Sequence, residues 1–208
     1  MPTFGDTNIE AAFDNVDYDA KVASKYTLAV DGTVTKLTAY LNNQYAGHLD
    51  CYGKAIIYDG SGSYPVNLKA AGTTTAIADN AANGWYDFVF GSGVALTAGS
   101  WWLGLHLDAN AIGVQPNWSA SGGASSYALD TYSDGTAATW GTVSTGVHNI
   151  AVYATYTASG GAAFVPVTYL NLSGVWNTGL IARVNVGGTW QPVSSVYQNV
   201  GGVWNSVL

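Results

Sequence analysis

The run LTAGSWWLGLHLD, residues 96–108, leaves this chain few conformations. Trp101, Leu103, Leu105 and Leu107 alternate with Trp102, Gly104, His106 and Asp108. A period of two belongs to a β-strand, because successive side chains of an extended backbone point to opposite faces. A helix would scatter the same four apolar residues around its circumference. The period recurs along the chain. Leu37, Ala39 and Leu41 share one face, against Lys36, Thr38, Tyr40 and Asn42; Tyr86, Phe88 and Phe90 oppose Trp85 and Asp87; Ile150, Val152 and Ala154 form a further inward set. KYTLAV leads into Asp31-Gly32, a hairpin-type turn signal, and KAIIYD is followed by the turn cluster DGSGSYP. Only EAAFDNV and AIADNAA read as a helical turn or two. The expectation is all-β: eight to ten antiparallel strands in a jelly-roll-like sandwich over residues 1–157, with 111–146 as long loops at one end.

Charged residues make up 9% of the 208, against about 25% in an ordinary soluble domain. Net charge is −7 with six basic residues. That balance gives no electrostatic footprint for nucleic acid and no attraction to an anionic membrane. No apolar run reaches the ~18 residues of a membrane span, so no membrane insertion is expected. The start, MPTFGDTNIE, lacks the basic and apolar regions of a signal peptide. The single cysteine, Cys51, forms no disulfide within the chain and reads as a buried thiol. Synthesis in a reducing cytoplasm is expected, yet the hydroxyl- and amide-rich composition suits a surface. A particle assembled inside a bacterium and released by lysis meets both conditions.

TASGGAA reads as a linker, placed at residues 158–166. The rest, 167–208, repeats. NLSGVW starts at Asn171, NVGGTW at Asn185 and NVGGVW at Asn199, with Trp176, Trp190 and Trp204 closing them at a period of fourteen. Each unit is expected to be a β-hairpin whose two-residue turn uses glycine for positive φ. The strands then pair Leu172 with Val175, Val186 with Thr189 and Val200 with Val203. One face of each hairpin carries an Asn–Trp pair: Asn171–Trp176, Asn185–Trp190 and Asn199–Trp204. Lone hairpins are marginal, so the three must lean on one another or on other subunits. Packing, stacking on a glycan and contact with a protein partner all stay open for the Trp rings.

No catalytic constellation is visible, and no enzyme is expected. His48, His106 and His148 have no metal-ligand spacing, and no nucleophile elbow, zincin helix or phosphate loop occurs. Thirteen carboxylates include no pair singled out for glycoside hydrolysis. Asp14, Asp17 and Asp19 have a superficially calcium-like spacing but lack the glycine and closing glutamate of an EF-hand. No cofactor is expected, with a structural calcium there as the alternative to a solvated acidic loop. The aromatics, 13% of the chain, carry the binding expectation. Tyr40, Trp85, Trp102 and Tyr153 fall on outward strand faces; Trp118, Tyr127, Tyr132 and Trp140 fall in loops. An exposed ring stacks on the apolar face of a sugar, while the alternative is packing under loops or at an interface. Trp118 and Trp140, flanked by Gly, Ser and Ala, are expected to be exposed.

The repeats NLSGVW, NVGGTW and NVGGVW resemble units of tail and fibre proteins of tailed bacteriophages. The runs SKYTLAVDGTVTKLTAYL, KAIIYDG, GWYDFVF, LTAGSWWLGLHL and DTYSDG resemble a jelly-roll module of phage and bacterial surface proteins, similar in pattern to carbohydrate-binding modules. The resemblance implies a virion surface protein, a head fibre, capsid decoration or tail component. It would contact capsid or tail proteins, oligomerise (a trimer by the habit of phage fibres), and bind host surface polysaccharide without cutting it. Two other readings stay open: a cement protein that binds no sugar, and a secreted bacterial adhesin.

Overall fold

The computed structural model describes residues 1–9, 12–13, 19–43, 50–78, 82–108, 114–119, 123–146, 149–159 and six short strands beyond residue 170. The chain divides into two compact units, Met1–Ala158 and Ser159–Leu208. The described first unit is almost wholly β. Its strands are β1 (Thr3–Gly5), β2 (Ala12–Phe13), β3 (Ala20–Leu28), β4 (Gly32–Asn43), β5 (Cys51–Tyr58), β6 (Leu68–Ala71) and β7 (Thr75–Ile77). There follow β8 (Gly84–Leu96), β9 (Gly99–Leu107), β10 (Val114–Ser119), β11 (Ser125–Leu129), β12 (Ser144–Gly146), β13 (Asn149–Ile150) and β14 (Val152–Ala158). Strand pieces of two or three residues raise the number above the eight to ten expected. They hold too few residues to show a period of two.

Two antiparallel sheets form a sandwich. The first runs β1-β14-β4, continues through β10 to β13, and adds β8 and β2 at its sides. The second runs β12-β11-β3-β9-β5-β6, with β7 also on β5. Period-two faces meet between them. Val34, Leu37, Ala39, Leu41, Phe88, Phe90, Val152 and Ala154 come from the first sheet, and Leu28, Ala55, Ile57, Leu103, Leu105 and Leu107 from the second. Cys51 is buried in this core, and burial pushes its thiol up to about 12. The close approach of β3 and β9 depends on a missing side chain. A Cβ on Gly104 would sit 2.0 Å from the carbonyl oxygen of Val22.

Three sequence expectations are corrected here. Asp31-Gly32 does not close a hairpin, since β3 and β4 belong to different sheets. The connection passes from one sheet to the other, and the Asp31 carboxylate accepts the Ala98 N–H at 2.7 Å from the return crossing between β8 and β9. A turn dipeptide favours a local bend but does not choose the strand's partner. The stretches read as helical contribute β2 and, at Ala76–Ile77, part of β7; their other residues lie partly outside those described. The region 111–146 is not a set of end loops. It supplies β10, β11, β12 and a 3-10 turn at Tyr132–Asp134.

In the second unit β15 (Asn171–Leu172) pairs with β16 (Val175–Trp176), β17 (Arg183–Val186) with β18 (Thr189–Pro192), and β19 (Tyr197–Val200) with β20 (Val203–Ser206). Leu172 faces Val175, Val186 faces Thr189 and Val200 faces Val203 across the strands. Asn171 and Trp176, Asn185 and Trp190, and Asn199 and Trp204 are register partners one step further out. The turn dipeptides lie outside the described residues.

Candidate functional site: an aromatic row on one sheet

The outer face of the first sheet is where period two leaves aromatic rings half-exposed. β4 turns Leu37, Ala39 and Leu41 inward, so Thr38 and Tyr40 point out. On β8, Phe88 and Phe90 point in, so Trp85 and Asp87 point out. On β14, Val152 and Ala154 point in and Tyr153 points out. Register then brings these together: Tyr40 faces Trp85, and Thr38 lies between Tyr153 and Asp87. The Trp85 ring meets Tyr40 and Tyr153 edge-to-face, each at 5.3 Å between centroids. Phe13, from β2, extends the row by stacking on Tyr40 at 6.3 Å. All four rings are half-buried, and each such pairing adds about 0.5–1.5 kcal/mol beyond burial. The rings therefore hold one another in place and still present surface to solvent.

A polar edge accompanies the row. Asp87 takes a hydrogen bond from the Thr38 hydroxyl at 2.7 Å and an ion pair from Lys36 at 2.6 Å. Burial pushes the Asp87 carboxyl up, but the hydrogen bonds from Lys36 and Thr38 and the Lys36 charge outweigh it and leave the carboxyl below its ordinary value. Asp87 is thus an ionised acceptor, fixed in orientation and half-exposed.

The middle of the second sheet's outer face is covered, while Tyr52 near one end of β5 stays 40% exposed. Residues 130–141 cross it as a strap, tied to the 59–68 segment by Leu68 N–H to Ala138 O at 2.7 Å and Trp140 N–H to Val66 O at 3.0 Å. Beneath the strap a second core gathers Ala23, Ile56, Tyr58, Trp102, Ala128 and Trp140. Lys21 lies fully buried there. Its ammonium donates to Asp130 at 3.0 Å and to Tyr58 Oη and Thr139 O at 3.3 Å, and it sits 5.1 Å from the Trp140 ring. Asp130 also accepts the Ala137 N–H at 3.0 Å. His106 spans the same strap, with Nε2 at 2.9 Å from the Asp130 carbonyl and Nδ1 at 3.0 Å from the Thr136 hydroxyl. A carbonyl only accepts, so Nε2 carries the proton and Nδ1 receives the Thr136 hydroxyl.

Burial lowers the His106 pKa below its ordinary 6.5, and the nearby Lys54 and Lys21 charges act the same way, against the opposing pull of Asp130. The unfolded chain therefore takes up this proton first. The His106 contribution to stability should be flat above pH 6.5, fall as pH drops through that value, and level off below the folded-state pKa. Urea unfolding midpoints of wild type and His106→Gln at pH 7.5 and 5.5 check this. The variant should lose most of the wild-type difference between the two pH values.

The sequence-chosen aromatics thus part company. Tyr40 and Trp85 join the row with Tyr153. Trp102 and Trp140 were expected to be outward or exposed and are instead fully covered, at 0% and 2% exposure. The Trp102 indole donates to the Gly60 carbonyl at 3.1 Å. Trp118 and Tyr127 lie on β10 and β11 rather than in loops, half-buried against the main core. Tyr132 is half-buried on the strap turn; Lys54 stands 4.0 Å from its ring centroid and Thr74 3.1 Å from its hydroxyl. Phe13 was not anticipated, because its neighbours read as helix. The Lys21–Asp130 pair was not anticipated either, since its partners are 109 positions apart in sequence.

Asp14, Asp17, His48 and His148 lie outside the described residues. Asp19, at a positive φ of 47°, uses its carboxylate to accept the Tyr132 N–H at 3.0 Å. Among the described residues no group of three or more His, Cys, Asp or Glu side chains is placed to hold a metal ion. No protein-family model, curated protein or solved structure matches the chain.

Proposed function

We propose that the first unit is a non-catalytic carbohydrate-binding module of a tailed-phage or phage-like particle, and that its binding surface is the row Phe13–Tyr40–Trp85–Tyr153. The observation that carries this reading is the row itself: four mutually packed, half-exposed rings beside an oriented carboxylate. Rings already held by their neighbours lose little side-chain entropy when a sugar stacks on them. A jelly-roll-like surface module fits the sandwich, and the resemblance of the C-terminal repeats to phage tail and fibre units supplies the particle. Each site is expected to be weak, on the order of 0.1–1 mM, with many copies on one particle turning weak sites into avidity.

Binding of the full chain to a panel of purified bacterial surface polysaccharides tests this, with Trp85→Ala alongside. Trp85→Ala should weaken binding by at least about tenfold, as removal of a central Trp does at other interfaces, while the fold survives. If no polysaccharide binds, the cement reading replaces this one.

The hairpins of the second unit serve, on this reading, as the assembly or attachment device, with a homo-oligomer, a trimer, as its product. Light scattering should show the full chain as an oligomer and a chain ending at Thr157 as a monomer. Two monomers would remove the assembly role.

A further inference from the structure

We infer that the aromatic row takes an uncharged, linear glycan laid along the rings, with hydroxyl groups of one sugar donating to Asp87. The inference rests on the carbohydrate-binding reading and adds the chemical class of ligand.

Charge carries the first part. Of the six basic residues, Lys21, Lys25, Lys54 and Lys69 belong to strands of the second sheet and Arg183 to the second unit. Lys36 is therefore the only cation on a strand of the first sheet, and Asp87 holds it at 2.6 Å. Three of the four lysines on the second sheet's strands are engaged as well. Lys21 pairs with Asp130 under the strap, Lys25 donates to the Ser61 and Gly62 carbonyls at 2.7 and 2.9 Å, and Lys54 lies over Tyr132. A uronic-acid or phosphorylated polymer would approach a protein of net charge −7 and find no unengaged cation on the row to offset its desolvation.

Asp87 carries the second part. Its two oxygens offer about four lone-pair sites, and Thr38 and Lys36 use one on each oxygen. The side chain is 51% exposed, so the remaining sites face solvent. A carboxylate that only accepts selects donors. Sugar hydroxyls are donors, whereas a ligand carboxylate would meet it as a like charge. Asp87 and Trp85 are two residues apart on β8 and share a face, so a sugar stacked on the indole lies beside the carboxylate. The Tyr40 and Tyr153 planes stand 73° and 61° from the Trp85 plane, so one sugar stacks on the indole and the sugars on either side of it meet the neighbouring rings, an arrangement that suits a chain better than a single terminal residue.

The test is titration calorimetry on the full chain at 50 and 500 mM salt. The probes are neutral gluco-, galacto- and manno-oligosaccharides of one to six residues and oligogalacturonates of matching length. A neutral series should bind, tighten at least about tenfold from one residue to four, and be unchanged by salt. Asp87→Asn, whose amide spends half of its capacity as a donor, should weaken that binding about tenfold, with its melting temperature recorded to confirm folding. Oligogalacturonate binding as tight as the neutral series overturns the inference and leaves the carbohydrate reading standing. Full affinity for a monosaccharide overturns the linear part, and an unaffected Asp87→Asn overturns the role of the carboxylate. If neither class binds at millimolar concentration but a surface polysaccharide of the panel does, the inference is overturned and the carbohydrate reading stands; if the panel gives nothing either, the carbohydrate reading itself fails.

Discussion

Asp130→Ala should be among the most damaging single substitutions in this protein, lowering stability by about 3–5 kcal/mol. Lys21 is fully buried and its ammonium has Asp130 as its ion-pair partner at 3.0 Å. Without the carboxylate, a positive charge stays beneath the strap with a phenol, a carbonyl and the Tyr58 and Trp140 rings, but no anion, to stabilise it. The Ala137 N–H loses its acceptor as well. For a unit of this size the melting temperature should fall by roughly 10 °C. The double variant Lys21→Met/Asp130→Leu separates charge from shape. It removes both ions and should recover most of the loss, because well-packed apolar groups often replace a buried pair at little cost. A single variant as stable as wild type would mean that Lys21 reaches solvent.

Trp140→Ala is expected to cost a similar amount, about 3–5 kcal/mol. The indole is 2% exposed and meets Tyr58 edge-to-face at 4.9 Å between centroids. Removing it opens a cavity under the strap and strips Lys21 of one of its two neighbouring rings. The same substitution in an exposed loop would change stability by no more than about 0.5 kcal/mol. Chemical denaturation of Trp140→Ala beside Trp85→Ala contrasts the two faces: the first should lose stability, the second mainly binding.

Trp140 also shows how far the sequence could be read. Its Gly-, Ser- and Ala-rich surroundings signal a loop, and residues 130–141 do lie outside the long strands. They do not signal whether that loop stands in solvent or lies down on a sheet. Trp102 makes the same point from a strand. Alternation correctly separates it from Leu103, Leu105 and Leu107, because period two reports which residues share a face. It does not report which face is wet, and here both are covered. Lys21 is the cost of that blindness. It reads as a surface lysine until a carboxylate from a distant segment is laid over it. Conversely Tyr40, Trp85 and Tyr153 were legible as outward residues, since no described segment covers the first sheet as the strap covers the middle of the second. Their assembly into one row was not legible, because it depends on the register of β4 with β8 and β14. Of the repeats, the strand pairing about each turn follows from the spacing of Asn, Gly and Trp, as the register of the three hairpins has it.

On the proposed function, sugars bind on the first sheet rather than on the strap side. The chain has eight tryptophans, and each gives one indole N–H signal in a nitrogen-15 correlation spectrum. Single Trp→Phe variants assign them. On titration with a polysaccharide that binds the full chain, the Trp85 signal should move or broaden while those of Trp102 and Trp140 stay fixed. Movement of Trp140 or Trp102 with Trp85 unmoved would place the ligand on the other face and contradict the account.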